Sequence, residues 1–160
     1  MKTSGMAIGL VLGLTLLGLG AWQARAADVM TDPPPAGYYA MQKVVYQNDG
    51  GLPDNPTYFK FILRNIANHI EATGGKVEIR VVDFGPGVQM LVLAKTDPAL
   101  AASINGLRAK GVRFLVCRNT LKGMKLTPAD LYKVPDSDVV PAGVAELARL
   151  QGMGFVLVHP

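Results

Sequence analysis

The chain has 160 residues, with 16 Lys or Arg against 12 Asp or Glu and a single cysteine. One cysteine forms no intramolecular disulfide, so the fold must be held together by an apolar core. The basic residues form no cluster along a predicted helix face and do not alternate with aromatic residues. This pattern argues against nucleic-acid binding, despite a sequence pI of about 9.3.

Residues 1–26 have the pattern of a secretion signal. Lys2 gives a positive start, residues 6–22 are almost uninterrupted apolar, and the Ala-Arg-Ala sequence at 24–26 is the small-residue pattern that precedes a cleavage site. A retained membrane anchor is the alternative, but the apolar core is shorter than the roughly 20 residues needed to span a bilayer. We expect cleavage after this tripeptide or one residue later. The mature protein would be periplasmic, without stable membrane insertion.

Removal of this segment would leave one domain with little net charge. Lys2 and Arg25 would be lost with it, leaving 14 basic and 12 acidic residues, a net charge of +2. Residues 27–40 contain three consecutive prolines and are predicted to form a stiff linker. The remaining residues, 41–160, suit a single compact domain.

From residue 41 onward the sequence alternates between predicted strands and helices. Strands are predicted at residues 43–47, 77–84, 111–117, 139–140 and 155–158. Helices are predicted at residues 56–73, 98–110, 120–132 and 142–150. Residues 88–93 fit either a short strand or a helical turn. The alternation predicts an α/β fold with a mainly parallel sheet covered by helices on both faces.

Two of the predicted helices each carry an apolar stripe that should face the sheet. The stripe comprises Phe59, Ile62, Leu63, Ile66 and Ile70 in the first, and Leu100, Ile104 and Leu107 in the second.

The sequence contains no complete cofactor or metal motif. Gly85-Pro86-Gly87 lacks the third glycine of a dinucleotide-binding loop, and its proline offers no backbone N–H to a phosphate, so a turn is predicted there. His69 and His159 have no second ligand at metal-binding spacing, and no serine lies in a nucleophile elbow. We expect no cofactor and no metal.

Cys117 is the residue that points to chemistry. It ends an apolar strand and precedes Arg118, Asn119 and Thr120, a polar triplet that starts a helix. The free N–H groups and the dipole of a helix N-terminus favour thiolate over thiol. Asn119 or Thr120 is the predicted helix cap, and Arg118 could add positive charge. We expect an accessible, acidic thiol; the alternative is a small buried hydrophobe.

Other residues at the ends of the predicted strands would complete a pocket around this thiol. Alongside Arg118, Asn119 and Thr120, these are the turn residues Gly85, Pro86 and Gly87, and Asn48 and Asp49 at the end of the first strand. Since the carboxyl ends of parallel strands meet at one edge of the sheet, we expect these residues to lie near Cys117.

Five segments occur in the order seen in one known family. They are NIAN at 65–68, VDFGPG at 82–87, GVRFLVCRNTL at 111–121, VVPAGVAEL at 139–147 and GMGF at 152–155. With these segments, residues 41–159 resemble the DsrE/DsrF-like family. The resemblance implies a flavodoxin-like, three-layer αβα domain with a five-stranded parallel sheet, assembling into homotrimers or hexamers.

The resemblance also implies sulfur chemistry. In the best understood members, a cysteine after a central strand carries a persulfide in a sulfur relay, and Cys117 occupies the matching place. Those members are cytoplasmic and follow their cysteine with an Arg-Gly-containing helix, whereas this chain continues Cys-Arg-Asn-Thr. The chain therefore resembles an exported branch of the family.

We expect an exported sulfur-handling protein, either a sulfurtransferase or a sulfur carrier, with a sulfur donor or acceptor protein as partner. The alternative is a non-catalytic oligomeric module that binds a small ligand or a partner, with Cys117 structural.

Overall fold

The computed structural model describes residues 35–51 and 55–160. The predicted signal segment and residues 27–34 of the predicted linker lie outside the described residues. The strands are β1 (Gln42–Asn48), β2 (Val77–Asp83), β3 (Arg113–Cys117), β4 (Val139–Val140) and β5 (Val156–Val158). The helices are α1 (Asn55–Ala72), α2 (Gln89–Leu93), α3 (Pro98–Ala109), α4 (Arg118–Met124) and α5 (Gly143–Gly152).

The five strands form one parallel sheet in the order β4-β3-β2-β1-β5. Parallel neighbours require crossover connections, and helices provide each of them. Helices cover both faces of the sheet, so the predicted three-layer, flavodoxin-like α/β fold is confirmed.

The two faces of the sheet have different cores. Side chains alternate along each strand. Val44, Tyr46 and Phe114 belong to the larger core, beneath α1, α2, α3 and α4, and we call this side the α1 face. Val45 and Leu115 belong to a smaller core beneath α5 alone, on the α5 face. Every residue of the two predicted apolar stripes is buried in the larger core.

The structure decides one open assignment and differs from the prediction at α4. Residues 88–93, which fitted either a strand or a helical turn, begin in a 3-10 turn and continue as the short helix α2. The helical stretch predicted near residues 120–132 starts at Arg118, within the polar triplet that was expected to begin it, but it ends at Met124, so its predicted C-terminal end was wrong. Lys125 adopts a left-handed conformation with φ of 56°, and Pro128 begins a separate 3-10 turn. These two residues break the helix that the apolar pattern alone would continue.

None of the helices within residues 35–51 and 55–160 is both long and apolar enough to cross a membrane.

Candidate functional site

Cys117 lies at the ends of the neighbouring strands β3 and β4, whose following helices, α4 and α5, cover opposite faces of the sheet. Cys117 ends β3 and is paired in register with Val140, which ends β4. α4 starts at the next residue and contributes Leu121 to the core on the α1 face. α5 starts three residues after Val140 and contributes Leu147 to the core on the α5 face. Such a topological switch point is where parallel α/β sheets form their ligand-binding crevices.

The hydrogen bonds around Cys117 favour its thiolate. Burial by itself raises the pKa of the thiol. The hydroxyl of Thr120 and the backbone N–H groups of Gly143, Thr120 and Asn119 more than offset this effect, so the pKa lies below its ordinary value. Two of these N–H groups belong to the first turn of α4, and that of Gly143 belongs to the start of α5. The sulfur is therefore stabilised as an anion by two helix N-termini.

The thiol is more enclosed than the sequence predicted. Cys117 is only 6% exposed, whereas its neighbours Arg118 and Asn119 are exposed. A reactant therefore has access to only a small part of this residue's surface.

Thr120 connects the thiol to the turn after β2. The backbone N–H of Gly85 donates a hydrogen bond of 2.9 Å to the hydroxyl oxygen of Thr120. Since this oxygen accepts from Gly85, the hydroxyl hydrogen is available to donate to the sulfur. Thr120 and the turn at residues 85–87 thus belong to one hydrogen-bonded unit with Cys117.

The residue that caps α4 is not the one predicted. Cys117 itself is the N-cap, because the helix begins one residue after the strand ends, and Asn119 and Thr120 lie within the first turn. The prediction that one of these two residues caps the helix was wrong. Arg118 lines a groove of about 400 Å³ together with Leu121, Leu126 and Val139.

Gly143 and Phe84 shape the α5 side of the site, and the sequence analysis did not single them out. A Cβ atom on Gly143 would lie 2.8 Å from the Cβ of Phe84, a contact too short for any larger residue. Glycine therefore lets the start of α5 approach the end of β2 and direct its first N–H at the sulfur. A glycine just after a short predicted strand was the only sequence signal for this role.

Asn48 supports the turn at residues 85–87 from below. Its side chain is fully buried, and its Nδ2 donates to the carbonyl oxygen of Gly87 at 3.2 Å. The backbone carbonyl oxygen of Asn48 accepts a hydrogen bond of 3.1 Å from the backbone N–H of Phe84. Asn48 follows Val44 and Tyr46 on the α1 face, whereas Cys117 follows Leu115 on the α5 face. The structure therefore places Asn48 beneath the turn and away from the thiol.

Asp49 pairs with the end of the chain. Its Oδ1 lies 3.3 Å from Nε2 of His159, and its Oδ2 accepts from Gln47 at 3.1 Å. Asp49 and His159 follow β1 and β5, while Cys117 ends β3, two strands from β1. Strands lie about 4.8 Å apart, so at least about 10 Å separates this pair from the thiol along the sheet. The structure does not bring Asp49 together with Cys117.

Asp83 is a buried carboxyl group beside the turn that the sequence analysis did not single out. Its Oδ1 accepts from Nδ2 of Asn48 at 2.6 Å. Burial raises the pKa of Asp83 to about 8, although the Asn48 hydrogen bond and the charge of Arg108 act in the opposite direction. Within the described residues, its Oδ2 and the buried hydroxyl of Tyr58 have no hydrogen-bond partner. An acidic residue at the end of a buried strand was the available signal.

The part of the chain that the structure describes contains no group of three or more His, Cys, Asp or Glu side chains arranged to hold a metal ion.

Fold and site define a flavodoxin-like α/β protein with a thiol at its topological switch point. The chain belongs to the DsrE/DsrF-like family, whose model matches residues 42–160. This family is generally linked to sulfur relay. No curated protein matches the chain. The solved structure of MTH1491 from Methanobacterium thermoautotrophicum, a protein of unknown function, is 29% identical with a TM-score of 0.63, covering 74% of this chain and 99% of that chain.

Proposed function

We propose that this protein handles sulfur through Cys117, which accepts sulfane sulfur as a persulfide and acts as a sulfur carrier or sulfurtransferase. The observation that carries the proposal is the convergence of the Thr120 hydroxyl and the first N–H groups of α4 and α5 on the Cys117 sulfur. These donors stabilise the thiolate, which is the nucleophilic form of cysteine. They would stabilise the terminal charge of a persulfide in the same way.

The proposed step needs no external oxidant. The Cys117 thiolate attacks the outer sulfur of a donor R–S–SH, and a new S–S bond forms to Cys117. The S–S bond of the donor breaks, and R–S⁻ leaves with the bonding electron pair and takes up a proton. Cys117 then carries the sulfur as Cys–S–SH, and attack on that outer sulfur by an acceptor thiolate passes it on.

The first prediction is that the folded protein gains one sulfur atom on Cys117 when it is exposed to inorganic polysulfide, as measured by intact mass. Cys117→Ser should gain none. Because the Thr120 hydroxyl lowers the pKa of Cys117, Thr120→Val should raise the pH at which the thiol becomes reactive to an alkylating agent. Thr96→Val is the matched control, since the Thr96 hydroxyl is exposed and bonds only within its own turn.

The opposite result would favour the alternative function. If Cys117 alkylates only after denaturation and takes up no sulfur, it is a core residue. The protein would then be a non-catalytic module that binds a small ligand or partner. The limited exposure of Cys117 is the observation that supports this alternative.

The second prediction is that the protein is a homo-oligomer, with three or six copies. β5 is an edge strand, and edge strands are prone to association. Val156 within β5 is 64% exposed, and Met153, just before this strand, is 52% exposed, so apolar surface lies at this edge. Light scattering should give a mass of three or six chains, and Val156→Lys should lower it. A wild-type protein that is monomeric at micromolar concentration would contradict this prediction.

The third prediction is export with removal of the N-terminal segment, which rests on the sequence pattern at residues 24–26. N-terminal sequencing of the protein from its native host should begin at Ala27 or Asp28. A full-length product retained in the membrane would show that the segment is an anchor.

A further inference from the structure

The turn at residues 85–87, together with Phe84 just before it, contacts both helix starts that surround the thiol. The backbone N–H of Gly85 donates to the hydroxyl oxygen of Thr120 in α4 at 2.9 Å. Phe84 lies so close to Gly143, at the start of α5, that a Cβ atom there would be 2.8 Å from the Cβ of Phe84. Thr120 and Gly143 are two of the residues whose donors lower the pKa of the thiol. The position of this turn therefore affects donors from both helices.

Asp83 supports the turn through Asn48. Nδ2 of Asn48 donates to Oδ1 of Asp83 at 2.6 Å and to the carbonyl oxygen of Gly87 at 3.2 Å. Oδ1 of Asn48 accepts from the backbone N–H of Gly50 at 3.2 Å, so both ends of the amide form hydrogen bonds. One hydrogen of the amide is thus available to the carboxyl group and the other to the turn. A change in the charge of this carboxyl group acts on the amide that holds the turn.

Asp83 and Cys117 are close in the sheet, although their side chains leave it on opposite faces. Asp83 is paired in register with Val116, the residue before Cys117. Asp83 follows Val81 on the α1 face, whereas Cys117 follows Leu115 on the α5 face. With strands about 4.8 Å apart, the two ionisable groups are separated by a distance on the order of 8–10 Å. Both residues are buried, so two negative charges at this separation oppose each other.

The pKa values of the carboxyl group and the thiol approach each other. Burial raises the pKa of Asp83 to about 8, while hydrogen bonds hold the pKa of Cys117 below its ordinary value. Arg108 of α3 favours the charged form of Asp83. Asp83 and Asp49 both raise the pKa of Tyr58 in α1. The turn and α2 contribute no ionisable side chain. Below about pH 8 the carboxyl group is mostly uncharged, so it does not oppose a thiolate at Cys117.

We propose that Asp83 is a positioning residue for Cys117 and that the proton on Asp83 regulates the reactivity of the thiol. The uncharged acid holds the Asn48 amide and the turn without adding a second negative charge near the sulfur. The ionised acid opposes the thiolate, so a higher pH is then needed to form it. By linkage, the thiolate opposes the ionisation of Asp83 to the same extent. This inference rests on the proposed function, because it takes Cys117 as the reactive group.

Asp83→Asn tests the coupling, because Asn has the shape of the uncharged acid and cannot ionise. The thiolate is followed by ultraviolet absorbance from about pH 5 to about pH 10, and each protein is compared with its own Cys117→Ser counterpart. Near about pH 6 the variant and the wild type should contain the same fraction of thiolate, since Asp83 is then uncharged. At higher pH the variant should contain more thiolate. Its midpoint should lie lower by about 0.5–1 pH unit, which is about a three- to tenfold change in the ionisation equilibrium.

Asp97→Asn is the matched control, because it removes a carboxyl group of the same kind from the start of α3. Its thiolate curve should follow that of the wild type. The proposal is overturned if Asp83→Asn gives the wild-type curve over the whole range. It is also overturned if Asp83→Asn changes the ionisation equilibrium as much near about pH 6 as near about pH 8, which is the result of a purely structural effect.

The reciprocal measurement does not depend on the reactivity of the thiol. The carbon NMR signal of the Asp83 carboxyl group, assigned with Asp83→Asn, is followed against pH. In Cys117→Ser no thiolate forms, so Asp83 should ionise at a lower pH, by the same amount as in the first experiment. An unchanged midpoint would contradict the coupling. Sulfur uptake enters neither measurement, so a protein that shows the coupling but gains no sulfur from polysulfide counts against the proposed function alone.

Discussion

Replacing Asp83 with Asn is expected to stabilise the protein at pH 8 by about 1–3 kcal/mol, because Asn cannot acquire the buried negative charge that Asp83 begins to carry at this pH. Asp83 is fully buried, and its Oδ2 has no hydrogen-bond partner among the described residues. Asn has the same shape and no charge, so its Oδ1 can still accept from Asn48. The buried Tyr58 hydroxyl also has no partner among the described residues, and its pKa is raised by burial and by the charges of Asp49 and Asp83.

The gain should depend on pH in a defined direction. An Asp in an unfolded chain has a pKa near 4, whereas burial raises the pKa of Asp83 in the folded protein to about 8. Between these values the folded protein keeps a proton that the unfolded chain has released. The free energy of unfolding therefore falls as pH rises from about 4 to about 8 and changes no further from this group above that pH. Asp83→Asn removes this fall.

Urea unfolding across this pH range measures the effect. Asp97→Asn is the matched control, because Asp97 caps α3 through its side-chain oxygen and Asn caps a helix equally well. The control should follow the wild type at every pH. If the free energy of unfolding of Asp83→Asn instead changes with pH in the same way as that of the wild type between pH 4 and 8, Asp83 does not titrate in this range. Its burial would then not control its ionisation.

The sequence predicted the fold well because its signals are local and repeated. The spacing of Ile62, Ile66 and Ile70 allows only one face of a helix to be buried, and all three are buried in α1. The end of α4 was missed at Lys125, whose left-handed conformation lacks the glycine that usually marks it. Pro128 was a visible stop signal inside the predicted helix, and it was given too little weight against the apolar pattern.

The site could be predicted only in part, since it is assembled from residues distant in the chain. The strand-to-helix junction marked Cys117 and Thr120. The contribution of Gly143 depends on the start of α5 reaching the end of β3, which requires knowledge of the strand order. The alternation of side chains along β1 determines which face of the sheet Asn48 occupies. This face had to be compared with the face that Cys117 occupies at the end of β3. The carboxyl ends of both strands share an edge, yet the two side chains point to opposite faces.

Replacing Gly87 with Ala is expected to destabilise the protein by about 3 kcal/mol or more, at the upper end of overpacking effects. A Cβ atom at this position would lie 2.0 Å from the carbonyl oxygen of Asn48 and 2.6 Å from its carbonyl carbon. Both are backbone atoms of β1, so no side-chain rotation relieves the contact. The turn would have to move away from β1, breaking the hydrogen bond from Phe84 N–H to the Asn48 oxygen.

The same displacement should reach the thiol, because the turn positions the Gly85 N–H that bonds to Thr120. Gly87→Ala should therefore lower the free energy of unfolding in urea and also shift the pH dependence of Cys117 alkylation upward. Gly123→Ala is the matched control, since no atom lies within 4 Å of its Cβ position in α4. It should stabilise the protein by about 0.5–1 kcal/mol through helix propensity. A Gly87→Ala protein as stable as the wild type would mean that the turn does not pack on β1 as described, and the connection from Asn48 to Cys117 would lose its physical basis.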